Sequence, residues 1–402
     1  MRISFQTVNR NMQSVINKRY GELARLQEQI STGRRLLRPS DDPVDVANTL
    51  KLKTRKQQIK QFRRNIEDGL GYMNVTETAM DSMNNLLQRM RELGLQASSD
   101  TIGENERKFI LQEVDQLSKQ MITLAVTQFK GDYIFSGTQT KIPPLTLEKS
   151  QSTTADDYEN LRMSYFMADG LAPNSTVQLY EGFSGNAVEN ILPGSFTLSY
   201  QGAEYTEGVD YTIDYITGQI TLINPDLLQD IEPGGANYQQ DEFSISFEYI
   251  SKGKNVHGDI VTTQGEIKRE IESGITMPIN ITLDEVFNNN ATGNEMITTI
   301  LTFAQALHTN DHAQIQSSVD NISSAHETVL AARAKNGARV NRFEITLERN
   351  EHQLATTTEL QSTLEDTDMA EAISRFMLTE NVYNAALKSV SRVIQPSLVN
   401  FL

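Results

Sequence analysis

Apolar side chains recur at alternating steps of three and four along both ends of this 402-residue chain. That period admits little besides long helices packed face to face. It runs from Ile59 through Phe62, Ile66, Gly69, Met73, Thr76, Met80, Met83, Leu87 and Met90, and resumes at Ile110, Val114, Leu117, Met121 and Leu124. Towards the other end it runs Ile315, Val319, Ile322, Val329, Val340, Phe343, Leu347, Leu354 and Leu364. His326, Arg333, Asn336, Asn350, Thr357 and Gln361 fill polar slots of that second series. A helix from Ile315 to Leu364 would be roughly 75 Å long. Polar seam positions cost stability and fix register. The methionines at 73, 80, 83 and 90 are expected in the core, where a thioether also suits a surface that must adapt.

The extreme ends carry narrower stripes: Met12, Ile16, Leu23, Leu26 and Ile30 at one, and Met369, Ile373, Phe376, Tyr383, Leu387, Val390 and Ile394 at the other. Each is a marginal helix whose stripe must find a partner. Asp42 is placed to cap a helix with Pro43 in its first position and Asp45 near the exposed amides. Asp368 and Glu371 have capping-box spacing for the last helix, and Pro396 ends it.

The middle differs. Residues 142–283 hold 14 of the 28 Phe and Tyr, 13 of the 23 Gly and 7 of the 10 Pro. Glycine and proline break long helices and punctuate strands. Period-two stripes appear at Phe196, Leu198 and Tyr200, at Tyr211, Ile213 and Tyr215, and at Phe243, Ile245, Phe247 and Tyr249. A turn at Thr217-Gly218 leads to a returning strand at Ile220 and Leu222. The expected fold is therefore mainly α with an inserted β-rich domain: a discontinuous coiled-coil-like bundle supplied by both chain ends. Its parts are 1–141, 142–283 and 284–402, with candidate assembly segments at about 1–40 and 366–402.

Charge follows the same division. Lys+Arg against Asp+Glu is 22 to 16 in residues 1–141, 6 to 21 in 142–283 and 8 to 15 in 284–402, within an overall net charge of -16. That balance argues against nucleic-acid binding, which needs a basic face. Ends of opposite charge suggest ends that pack together. There is no cysteine, so disulfides and thiolate chemistry are excluded. The mean hydropathy of -0.42 and the lack of an eighteen-residue apolar run exclude a membrane-spanning helix. The opening MRISFQTVNRNMQSV lacks the apolar stretch of a secretory signal peptide.

Catalytic constellations are weak. His308 and His312 stand four apart around Asp311, but two imidazoles and a carboxylate favour a solvated surface over a metal site. His326-Glu327 begins a zinc-protease pattern whose second histidine is replaced by Leu330, so His326 reads as a packed seam residue. Asp210 and Asp214 read as the wet face of a strand, not a calcium loop, and Pro233-Gly234-Gly235 as a turn. No phosphate-binding or nucleophile-elbow motif occurs. Neither enzyme activity, cofactor nor metal is expected; an activity in the middle would depend on Asp210, Asp214 or His257.

Three stretches carry a family resemblance: QISTGRRLLRPSDDPVDVA from Gln29 to Ala47, GDYIFSGTQT from Gly131 to Thr140, and YNAALKSVSRVIQPSLVNFL from Tyr383 to Leu402. With the opening MRIS, they resemble the flagellin superfamily, and within it the hook-associated protein 3, or hook–filament junction, family. Ser31, Gly33, Arg34, Asp41 and Asp42 match the superfamily's turn and paired aspartates. Pro39-Ser40-Asp41-Asp42-Pro43 and Phe135-Ser136-Gly137-Thr138 are closer to the junction family. The resemblance covers 1–141 and 284–402.

It implies a structural adaptor between flagellar hook and filament, located outside the cell. Its expected partners are the first hook-associated protein, flagellin, other copies in a ring, and a cytoplasmic export chaperone at Met369–Ile394. It also implies type III export without a cleaved signal peptide, and terminal segments that order on assembly. Filament flagellin is the alternative within the superfamily. A surface-binding module carried by the acidic middle is the alternative outside it.

Overall fold

The computed structural model describes residues 5–152, 176–179, 187–200, 203–223, 243–252, 264–288 and 295–394. The chain forms two compact units, residues 1–64 with 346–402 and residues 65–345. Helices α2 (Pro43–Ala97) and α6 (His312–Glu365) contribute residues to both.

The larger unit is organised by the seam that the sequence period announces. Ile66, Met73, Thr76, Met80, Met83, Leu87 and Met90 on α2 are all 0% exposed, as are Ile315, Ile322, Val329, Asn336 and Phe343 on α6. Each buried apolar side chain contributes about 1.5–3 kcal/mol relative to exposure. The helices run antiparallel: Asn336 Nδ2 donates to the Met73 carbonyl at 3.0 Å, and Arg333 bridges Glu77 and Asp81 at 2.8 and 2.9 Å. Glycine sets their spacing. A Cβ at Gly69 would lie 2.7 Å from a Phe343 ring carbon, and one at Gly94 would lie 2.8 Å from Val319. Only a residue without a side chain lets these surfaces meet.

Two polar slots shift by one residue. Ala325 and Ala332 are buried where His326 and Arg333 were expected, and His326 lies half-buried with its ring 3.3 Å from Gln88. Thr346 is likewise buried where Leu347 is only half-buried. A helix of 3.6 residues per turn drifts against a strict 3.5 repeat, so small neighbouring residues can take the inner slot.

Helices α3 (Glu104–Ala125) and α5 (Met296–His308) complete this bundle. Arg107 fastens its end, donating to the Ala97 carbonyl at 3.1 Å and to Asn310 Oδ1 at 2.5 Å. Its guanidinium thus satisfies the last turn of α2 and the α5–α6 loop, where Asn310 adopts φ +57°.

The β-rich region also lies in this unit. One sheet has the order β3 (Leu145–Ser152), β9 (Phe243–Lys252), β5 (Thr197–Tyr200), β6 (Ala203–Glu204). A second has β4 (Thr176–Gln178), β8 (Gln219–Leu222), β7 (Tyr211–Asp214). All pairings are antiparallel, and β7 and β8 pair Ile213 with Ile220 across the turn at Gly218, whose φ is +66°. Phe196, Leu198, Tyr211, Ile213, Tyr215, Ile220, Ile245, Phe247 and Tyr249 share one core cluster, as their period-two spacing requires. Tyr200, Leu222 and Phe243 lie on the expected strands, but their side chains are outside the described residues, as are His257 and Pro233-Gly234-Gly235. Two hairpins, β1–β2 (Gln128–Phe129, Asp132–Tyr133) and β10–β11 (Lys268–Glu272, Ile275–Pro278), and the short α4 (Leu283–Phe287) complete the described elements.

Candidate assembly surface at the paired chain ends

The smaller unit joins the two ends of the chain. Helix α1 (Phe5–Thr32) packs on α7 (Met369–Ile394). The pair is antiparallel: the Tyr20 and Tyr383 rings are 6.2 Å apart, while Gln29 lines the same hollow as Asp368, Glu371 and Ala372. Met12, Ile16, Leu23, Leu26 and Ile30 are all half-buried, in the expected stripe. On α7 the facing stripe is Ala372, Phe376, Thr379, Tyr383, Ala386 and Val390, again at four-three spacing.

The α7 residues singled out from sequence therefore divide. Phe376, Tyr383 and Val390 belong to the seam, but Ile373 and Leu387 remain 40% and 42% exposed. Met369, Met377 and Leu378 are exposed beside them. Helix α7 thus carries a second apolar strip that α1 does not cover. The side chain of Ile394 lies outside the described residues. Sequence reading missed Ala372, Thr379 and Ala386, because small and hydroxyl residues carry no hydrophobic signal. Met377, four residues beyond Ile373, was legible by spacing alone.

A polar clasp links the loops that follow α1 and α6. Gly33 turns the chain at φ +69°, and Arg34 and Asp366 then form an antiparallel bridge. Arg35 N–H donates to the Glu365 carbonyl at 2.7 Å, and Thr367 N–H to that of Gly33 at 2.9 Å. The Glu365 side chain is buried and meets Lys53 at 2.8 Å, Arg34 at 3.2 Å and the Gln361 amide at 2.7 Å. Burial works against its ionisation, but the bonds from Lys53 and Gln361 and the nearby cations prevail, and its carboxyl is held below the ordinary range. Asp41 accepts from Arg38 N–H at 2.9 Å and Leu37 N–H at 3.1 Å, with Arg25 at 3.5 Å. Chiefly through the Arg38 amide, its carboxyl is also held low. Asp42 caps α2, accepting from Val44 and Asp45, and Asp368 caps α7, accepting from Ala370 and Glu371.

These lowered carboxyls stabilise the folded clasp above the ordinary carboxylate range, and the contribution is lost as pH falls through their depressed folded values. Acidification from neutral is thus expected to loosen the smaller unit, read as weakened exchange protection of the amides of Arg35 and Thr367. Glu365→Gln should flatten that pH dependence. An unchanged acid profile in the Gln variant would show that the clasp carboxylate is not responsible.

His308 and His312 turn to different partners. His308 Nε2 lies 2.8 Å from Glu207 and its ring stacks edge-on to Tyr215, whereas His312 faces Asp100 and Arg107. The solvated surface expected for His308 is thus instead a packed contact with the β-rich region. Asp210 and Asp214 accept backbone N–H groups of their own turns, from Thr206 and from Ile216 and Thr217. Among the described residues no group of three His, Asp or Glu could hold a metal, and no helix is long and apolar enough to cross a membrane.

This arrangement has relatives. Residues 3–140 match the bacterial flagellin N-terminal helical region, and residues 319–402 match the flagellin C-terminal helical region. A flagellin of Clostridium tyrobutyricum is 24% identical over 372 residues, 90% of each chain. Flagellar hook-associated protein 3 of Escherichia coli K12 is 28% identical over 153 residues, covering 38% of this chain and 48% of that one, so the aligned region spans about half of that relative. A solved Vibrio parahaemolyticus structure assigned as a flagellar hook-associated protein shares the fold with a TM-score of 0.50 at 15% identity, covering 81% of this chain and all of that one. The two matched helical regions take in more than half of the 402 residues and supply both partners of the α1–α7 pair, and the chain is a member of the bacterial flagellin family.

Proposed function

We propose that this chain is a structural adaptor at the junction between flagellar hook and filament. The observation that carries the reading is the α1–α7 pair: it joins both chain ends and leaves Ile373, Met377, Leu378 and Leu387 exposed for neighbouring subunits. Such a strip is recognised by helix-in-groove packing. Its placement at the junction, not along the filament, is supported by the similarity to hook-associated protein 3 and by the Pro39–Pro43 segment, which here forms the clasp and the α2 cap. Helical packing would bear the load between subunits, with no bond made or broken.

In this reading the first hook-associated protein lies on the hook side, flagellin on the filament side, and copies of the chain form a ring between them. Met12, Ile16, Leu23, Leu26, Ile30, Arg34, Asp41 and Asp42 act from the N-terminal end, and Ile373, Phe376, Tyr383, Leu387, Val390 and Ile394 from the other. Export in an unfolded state through the flagellar apparatus, with a chaperone shielding α7, accounts for the length of apolar surface on that helix. Residues 1–141 and 284–402 serve as the assembling halves, and residues 142–283 as an outward domain.

Filament flagellin is the second reading, favoured by the alignment to the Clostridium flagellin over nine-tenths of both chains. Electron microscopy separates them, using the purified chain alone and mixed with hook ends and flagellin monomer. Flagellin growing only from hook ends first treated with this chain is the expected result. Long filaments from the chain alone would make it a flagellin.

A further inference from the structure

Within the larger unit, the β-rich region stands on a two-stranded foot. The chain enters that region along β3 at Leu145 and leaves it along β9 at Lys252, and these two residues pair with each other. Above the foot the strands close on a core of their own that runs from Leu179 to Tyr249. Glu248 lies four residues up β9 from the foot, roughly 13 Å along the strand. Its side chain joins sheet to helix: Lys119 of α3 is 3.1 Å from one carboxylate oxygen, and Lys149 of β3 is 2.5 Å from the other. Asp115, one turn before Lys119 on α3, pairs with the same ammonium at 3.1 Å. Beside this bridge opens a hollow of about 770 Å³, lined by Lys108, Asp115 and Lys119 on α3, by Lys149 and Glu248 on the sheet, and by His308. Lys108 is paired with Glu104, while His308 Nε2 and the Tyr215 hydroxyl both meet Glu207 Oε2, at 2.8 and 2.5 Å. Around the hollow, α3 and the sheet are thus joined by polar point contacts across open space, not by a continuous apolar surface.

We propose that Glu248 is a brace released by acid: ionised, it clamps the β-rich region to α3, and neutral, it lets that region swing on its two-stranded foot. A two-stranded ribbon has little rigidity of its own, so lateral contacts fix its angle. The bond from Lys149 does most to hold the Glu248 carboxyl below the ordinary glutamate range; burial opposes it and Lys119 adds to it. Burial works against the charge of Lys119, but its bonds to Glu248 and Asp115 prevail and hold the ammonium above the ordinary lysine range. A carboxyl held low stabilises the docked state above its ordinary range, and that contribution is lost as pH falls through the depressed value. An ammonium held high keeps its charge throughout acid, so Glu248 is the member of this pair that fails. Once neutral, Glu248 no longer attracts Lys119, which retains Asp115 on its own helix and has no further bond to the sheet. Lys149 then reaches only within the sheet, and the His308–Glu207 contact on the other side of the hollow remains as a pivot. The β core is not part of the brace, so the region moves as a body, in the manner of a hinge.

The test is a distance measurement on the full-length chain. It has no cysteine, so Gln120→Cys on α3 and Thr212→Cys on β7, both exposed, accept spin labels at two chosen places. Pulsed dipolar spectroscopy should give one narrow distance at about pH 7 and a broad distribution at about pH 3, below the ordinary glutamate range. Tyrosine near-ultraviolet dichroism should be retained across the same interval, since Tyr211, Tyr215 and Tyr249 stay in the β core. In Glu248→Gln the distance should already be broad at neutral pH and change no further in acid. Lys119→Met, which cuts only the bond to α3, should likewise lose the narrow distance at neutral pH. Lys149→Met cuts only the bond within the sheet; it should keep the narrow distance at neutral pH and lose it at a higher pH than the parent. A distance that stays narrow in acid, or in Glu248→Gln or Lys119→Met at neutral pH, would overturn the proposal. So would loss of the narrow distance in Lys149→Met at neutral pH, or loss of the tyrosine signal together with the distance, which would mean unfolding of the region and not its release.

Discussion

Ile16→Asp is expected to abolish swimming by separating α1 from α7, and Leu387→Asp to abolish it with that pair intact. Ile16 lies half-buried in the seam, where a carboxylate forfeits apolar burial and meets a surface that cannot solvate it. Together these cost about 2–4 kcal/mol. A helix pair of this length with small residues at half its facing slots has little more than that to lose. Leu387 points away from α1 and is already 42% exposed, so the charge there leaves the pair almost untouched and removes only outward contact area. Circular dichroism and hydrogen exchange of α1 and α7, read beside motility of a strain complemented with each variant, distinguish the two routes. Normal swimming by both variants would refute the assembly role of the chain ends. Loss of α1 protection in Leu387→Asp would refute the assignment of that residue to the outer strip.

Phe343→Ala should produce the largest loss of stability in the larger unit. The ring is fully buried and lies against Gly69, where a Cβ would be only 2.7 Å from it. A phenylalanine removed from such a site costs about 3–5 kcal/mol, because lost burial and the remaining cavity add. Glycine opposite supplies no side chain to collapse into the space. Urea unfolding followed by far-ultraviolet dichroism measures it as a lower midpoint at unchanged slope. A loss below about 1 kcal/mol would mean that neighbouring side chains close the gap.

The α2 heptad was legible at every step from Ile59 to Met90, because methionine, leucine and isoleucine advertise their burial. The α6 seam was legible only in part. Asn336 and Asn350 were placed correctly as polar members, and both are buried. Ala325 and Ala332 displaced His326 and Arg333, since a long polar side chain yields an inner slot to a small one when the helix drifts, and the same drift turns Thr346 inward in place of Leu347. The strand stripes at Phe196, Tyr211 and Phe247 were readable because alternation around a hydrophobic face has a single structural solution.

The clasp was half visible. Asp42 declared itself by its place before Pro43, but nothing local marks Glu365 as the partner of Lys53, 312 residues earlier in the chain. Likewise the α7 stripe read from sequence merged two surfaces, one facing α1 and one facing outward.

By itself, the sequence determined the helical ends, the β-rich middle, the heptad register of α2, the capping of α2 and α7, and membership of a superfamily whose motifs it carries. These are local or periodic properties, set by residues close in the chain. The tertiary structure alone decided which face of α7 meets α1, which carboxylate closes the clasp, and where glycine admits Phe343. Those depend on residues brought together from opposite ends of the chain, whose pairing no local pattern encodes.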